Sequence, residues 1–105
     1  MAVTSGRLTN REAPWRDHYP DVVPTHLGYP SRPAWCLLQR AAEESPERIA
    51  CWHLEEHWTY ADMWRRAQLA ATRLVGLGVR PGDRVALLLP NLPEYLVALN
   101  GIWLA

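Results

Sequence analysis

The chain contains no lysine; all eleven of its basic side chains are arginine. Within these 105 residues that absence excludes Schiff-base chemistry, a Walker-type phosphate lysine and a lysine clamp on a transferring phosphoryl group. Arginine-only usage also follows from GC-rich coding, so it is not itself a functional sign. Cysteine is nearly as scarce. Cys36 and Cys51 are too few and too far apart for a disulfide framework or a zinc site. Each stands beside a tryptophan, Trp35 or Trp52, and reads as a buried, unreactive thiol, which suits a reducing cytoplasm. Net charge is absent as well, since eleven acids balance the eleven arginines. Nothing therefore steers the chain toward nucleic acid or anionic lipid. No secretory apolar segment follows Met1, and the longest apolar run, Tyr95 to Ala105, is far below the ~20 residues that span a bilayer, so no transmembrane segment is expected.

What is present is strongest from Gly78 to Asn91, Gly-Val-Arg-Pro-Gly-Asp-Arg-Val-Ala-Leu-Leu-Leu-Pro-Asn. Pro81 presets φ near −65° and Gly82 tolerates positive φ, the two requirements of a type II turn. Val85 to Leu89 is apolar on both faces, the pattern of a central parallel strand covered on two sides, and Pro90 ends it. Upstream, prolines at 14, 20, 24 and 30 break every candidate helix, so residues 1–32 read as an extended, Pro-rich leader arm. Its Trp15, Tyr19, Val22, Val23, Leu27 and Tyr29 suit an arm lying on another surface, its own domain or a second copy in a homodimer.

The domain proper is expected over 33–105. Pro33 suits the first position of a helix whose stripe is Trp35, Leu38, Ala41 and Ala42, and Ser45-Pro46 ends it. Ile49 to Leu54 reads as a strand, with His57 to Thr59 its hairpin partner across Glu55-Glu56. Thr59 and Asp62 form a capping box for a helix over 60–75. Its apolar face carries Met63, Trp64, Ala67, Ala70, Ala71 and Leu74. Gly76 and Gly78 stop it. Strand 49–54, helix 60–75 and strand 84–89 make one βαβ unit. A last helix is expected from 92, capped by Asn91, with Tyr95, Leu96, Leu99, Ile102 and Trp103 on one face. Gly101 in its interior costs about 1 kcal/mol relative to Ala. That helix carries no stop signal, and the strand Val85–Leu89 has too few neighbours to cover it, so the chain reads as cut. Such a chain, isolated, is expected to fold poorly or to associate through its uncovered apolar surface.

Several motifs fail on context. His53-Leu54-Glu55-Glu56-His57 matches the inverted zinc-peptidase string, but that chemistry needs both histidines on one helical face plus a third ligand. Here they straddle a hairpin, so exposed tip residues are the better reading. Gly76-Leu77-Gly78 follows a helix and meets Pro81 where a dinucleotide fingerprint needs its third glycine. No phosphate loop and no nucleophile elbow appears, and the six tryptophans read as packing.

Taken together, the segments resemble a family. Thr59-Tyr60-Ala61-Asp62 is similar to the motif opening the first large helix of the AMP-forming adenylate ligases. That group includes acyl-CoA synthetases, luciferases and peptide-synthetase adenylation domains. Gly78 to Val85 resembles their GVxxGDRV segment, Leu89-Pro90-Asn91 with Pro93-Glu94 their PNxPE segment, and Asn100 to Ala105 the helix before their AGA motif. The resemblance covers roughly residues 33 to 105. It implies an α/β fold, the incomplete N-terminal part of the large lobe, with one βαβ unit and flanking helices. His18-Tyr19-Pro20 and Gly28-Tyr29-Pro30 resemble the entry of bacterial long-chain fatty-acid–CoA ligases. Departures are Asp62-Met63 for Glu-Leu and the Glu55-Glu56 turn without glycine or aspartate. For a full-length parent the resemblance implies ATP, Mg and CoA, with a fatty acid converted to acyl-AMP and then to a thioester. The parts that do this lie downstream in the family, so no catalytic, cofactor-binding or metal-binding residue is expected in this chain. A complementing or stand-alone interaction module, and a fragment of another adenylating enzyme such as a peptide-synthetase adenylation domain, remain as alternatives.

Overall fold

The computed structural model describes residues 13–105. The chain divides into two units, Met1–Ser31 and Arg32–Ala105. In the first, Pro14–His18 forms a 3-10 helix started by proline, and the described remainder is turn and irregular backbone, as its prolines dictate. The part of the leader arm before residue 13 lies outside the described residues.

The second unit carries α1 (Cys36–Glu44), β1 (Ile49–His53), β2 (Glu56–Thr59), α2 (Tyr60–Gly76) and α3 (Pro93–Leu104). The expected helix at Pro33 begins three residues late. Pro33 and Ala34 carbonyls accept from Cys36 and Leu37 in a lead-in turn, and regular helix follows. Its stripe of Trp35, Leu38, Ala41 and Ala42 is half-buried. Trp35 stacks on Trp64 of α2, ring centroids 6.2 Å apart, an aromatic pair worth about 0.5–1.5 kcal/mol beyond its area.

β1 and β2 form an antiparallel hairpin with Cys51 opposite Trp58, Trp52 opposite His57 and His53 opposite Glu56, and an irregularity between Ile49 and Cys51. The connection is Leu54-Glu55, one residue earlier than expected. Leu54 takes φ 53°, the left-handed region that disfavours a side chain with a Cβ.

α2 follows its sequence signals closely. Thr59 Oγ1 accepts from the Asp62 amide at 3.1 Å, and the Thr59 amide donates back to Asp62 Oδ2 at 3.3 Å. Met63, Ala67 and Ala71 are buried along one stripe. At the other end Gly78 alone is left-handed, at φ 99°; Gly76 is helical. The Gly78 amide donates to the Val75 carbonyl and the Val79 amide to that of Leu74, the paired bonds of a Schellman stop. The type II turn forms as expected: Gly82 has φ 93° and the Asp83 amide donates to the Arg80 carbonyl at 3.0 Å.

The expected strand 84–89, and with it the βαβ unit, is not formed. Among the described residues, 83–90 have no ladder partner, and the sheet consists of β1 and β2. A strand exists through its neighbour's hydrogen bonds, and among the described residues no segment offers them. The exposure still alternates. Val85 and Leu87 are half-buried, whereas Ala86 and Leu88 face outward, Leu88 almost fully exposed. One face is therefore covered and the other open.

α3 is capped at Leu92 with no side-chain bond, not at Asn91; Pro93 starts it and is buried. Its contact face also differs from expectation. Leu96 and Trp103 are exposed, and Gly101 is buried against α2. A helix apolar nearly all round carries no periodicity to choose a face, so close approach chose it. α2 and α3 make the most extensive contact between elements.

Candidate functional site

The residues that carry the family resemblance do backbone work. Thr59 and Asp62 cap α2. Asp62 is further held by Arg65 at 2.9 Å. The Thr59 side-chain hydroxyl, then its backbone amide, hold the Asp62 carboxyl below the usual carboxylate range, with Arg65 adding less. Gly78 and Gly82 supply the two left-handed residues of the segment that follows. Asp83 locks that turn from outside: the Arg80 amide donates to Asp83 Oδ2 at 2.8 Å while the Asp83 amide bonds the Arg80 carbonyl. Pro93 sets the first turn of α3. No nucleophile, base or anion cradle is assembled by these groups.

Shallow clefts mark the surface of this unit. One, about 180 Å³, lies between α2 and α3, with Arg66, Arg73 and Glu94 around Trp58 and Val97. There the Arg66 guanidinium sits 4.1 Å from the Trp58 ring centroid, a cation–π contact worth about 0.5–1 kcal/mol at an exposed site. A second, about 250 Å³, separates Cys51 to His53 from Asn91 to Leu96. A third, about 280 Å³, is apolar, where Val85 and Leu87 lie beside Leu74, Ala98 and Ile102. Another opens at the hairpin tip, along His53 to Glu56. All are open, and none brings together a reactive constellation.

The histidine motif resolves as hairpin geometry. His53 ends β1, His57 lies in β2, and the His57 ring packs on Trp52 with centroids 5.2 Å apart. Among the described residues no group of three His, Cys, Asp or Glu is placed to hold a metal ion. Cys36 and Cys51 are free thiols and half-buried, less enclosed than expected. Among the described residues no helix is long and apolar enough to cross a membrane.

Two features lie outside the sequence expectations. Arg66 over Trp58 spans two elements, and no spacing rule joins them. Gly101 costs helix propensity, yet a Cβ there would stand 2.7 Å from the Ala70 Cβ, 3.2 Å from the Ala67 carbonyl oxygen and 3.3 Å from the Ala71 nitrogen. The signal that points to this contact is the run of alanines at 67, 70 and 71, small enough for a second helix to approach.

The comparisons with known proteins agree on one family. A profile described as AMP-binding enzyme matches residues 38–105. Triostin synthetase I of Streptomyces triostinicus is 39% identical over 84 residues, covering 80% of this chain and 16% of that protein. The long-chain-fatty-acid–CoA ligase of Bacillus subtilis (strain 168) is 30% identical over 94 residues, 90% of this chain and 17% of the relative. A feruloyl-CoA synthase from an Amycolatopsis species is 48% identical over 60 residues, 57% of this chain and 12% of the relative. The chain thus spans less than a fifth of the length of these relatives, at most 17%. No solved structure matches. With the family profile running through α1, the hairpin, α2, the Pro81-Gly82 turn and α3, the chain belongs to the AMP-binding enzyme family.

Proposed function

We propose that the chain is a scaffold segment of the adenylating lobe of a long-chain fatty-acid–CoA ligase, its residues 33–105 opening that lobe and 1–32 forming a leader arm. The observation that carries this is where the family-resembling residues sit. Thr59, Asp62, Gly78, Gly82, Asp83 and Pro93 all serve caps and turns; of these Pro93 alone is at the wall of a described cleft, and it carries no reactive group. The whole ligase would activate a fatty acid with ATP and Mg to acyl-AMP and pass the acyl group to CoA. The described residues do not fit those cofactors: the chain has no lysine, no phosphate loop, and no group of three metal-ligating side chains among the described residues. No step is assigned to it, and alone it makes no acyl-AMP, because positioning and electrostatics dominate this class of phosphate chemistry. The open apolar faces at Leu37, Leu88 and Leu89 are then covered by the remainder of the lobe. Free thiols at Cys36 and Cys51 suit a reducing cytoplasm. A homodimer through residues 1–32 belongs to the same reading.

A second reading, a segment of a peptide-synthetase adenylation domain, is favoured by the 39% identity with Triostin synthetase I. The test is a chimera in which residues 33–105 replace the matched segment of the Bacillus subtilis ligase, measured by acid-dependent ATP–pyrophosphate exchange. Exchange with the host's own acid preference is expected, and the isolated chain reads as blank. A soluble chimera with no exchange, or with a changed acid preference, would overturn the scaffold reading. If a parallel chimera in the matched segment of Triostin synthetase I shows exchange and the ligase chimera does not, the second reading replaces the first.

A further inference from the structure

We draw no further inference here: the strongest candidate, the hairpin tip where the exposed Leu54 takes a left-handed backbone between His53 and Glu55, carries nothing because nothing in the structure shows what covers it.

Discussion

Replacing Gly101 with alanine separates two accounts of that residue with opposite signs. Helix propensity alone says that Gly101→Ala stabilises α3 by about 1 kcal/mol. The packing says otherwise. The added methyl would lie 2.7 Å from the Ala70 Cβ, about 1 Å inside the ~3.5–4.0 Å at which carbon atoms rest. Two further neighbours, the Ala67 carbonyl oxygen at 3.2 Å and the Ala71 nitrogen at 3.3 Å, are helix backbone and cannot rotate away. The helices must part along their main contact, and overpacking of this kind costs about 1–3 kcal/mol. The net expectation is destabilisation of up to about 2 kcal/mol. Gly76 supplies the control. It is also helical, is exposed, and has nothing within 4 Å of its Cβ position. Gly76→Ala is therefore expected to stabilise by about 0.4–1 kcal/mol, mainly by restricting the unfolded chain.

Urea unfolding followed by tryptophan fluorescence, at one fixed protein concentration, reads both variants on the same scale. The midpoint should fall for Gly101→Ala and rise for Gly76→Ala. A double-mutant cycle adding Ala70→Gly isolates the 2.7 Å contact. The pair should be less damaged than the sum of the two single changes, with a coupling of about 0.5–3 kcal/mol. A Gly101→Ala midpoint that rises with that of Gly76→Ala would refute the close-approach argument and restore Gly101 as a plain helix defect.

Gly82→Val places a β-branched residue at φ 93°, a strain on the order of 1–3 kcal/mol; in the chimera soluble yield should drop while turnover per surviving molecule holds, and normal yield with lost turnover would make the turn catalytic. Leu54→Asn relieves a left-handed leucine at the hairpin connection and should raise the urea midpoint by about 1 kcal/mol equivalent; an unchanged midpoint means the connection carries no strain. Asp62 has its folded pKa lowered by the Thr59 hydroxyl and amide and by Arg65, so its contribution is complete above the ordinary carboxylate range and disappears as pH falls through the lowered value. Urea midpoints across acid pH should therefore decline in the parent, with a shallower decline in Asp62→Asn; parallel curves would remove the capping box from the pH dependence.

The local punctuation of the chain is legible because each device is written in adjacent residues. Thr59 and Asp62 specify their own cap, Arg80-Pro81-Gly82-Asp83 specifies its own turn, and Ser45-Pro46 specifies its own stop. None of these needs a distant partner. The larger expectations that fail need one, whereas the local misses, the Asn91 cap, the helix start at Pro33 and the Glu55-Glu56 connection, shift a boundary by one to three residues. Val85–Leu89 has the composition of a buried strand, and composition is a statement about what should cover it. The alternation that puts Val85 and Leu87 inward and Leu88 outward preserves half of that statement. The ladder hydrogen bonds that would turn it into a strand belong to other residues. The same holds for α3, whose contact face is set by the alanines of α2 and not by its own larger side chains.

That no reactive constellation converges among the described residues follows the same division. A catalytic constellation converges from several elements, so one short segment of a lobe supplies at most a few of its contacts. What such a segment can specify alone is geometry: where α2 begins, where it stops, how sharply the chain reverses at Gly82, and how near α3 approaches α2 at Gly101. Among the described residues no large side chain of this unit is fully buried, so these devices hold the helices in place with little core beneath them. Burial yields about 25 cal/mol per Å² of apolar surface, and the exposed Leu37 and Leu88 side chains contribute almost nothing of that kind within this unit. Backbone caps and turns that fix geometry beside apolar faces left open are what the proposed scaffold role requires, because such a segment must present its surfaces in register before the elements that cover them can dock.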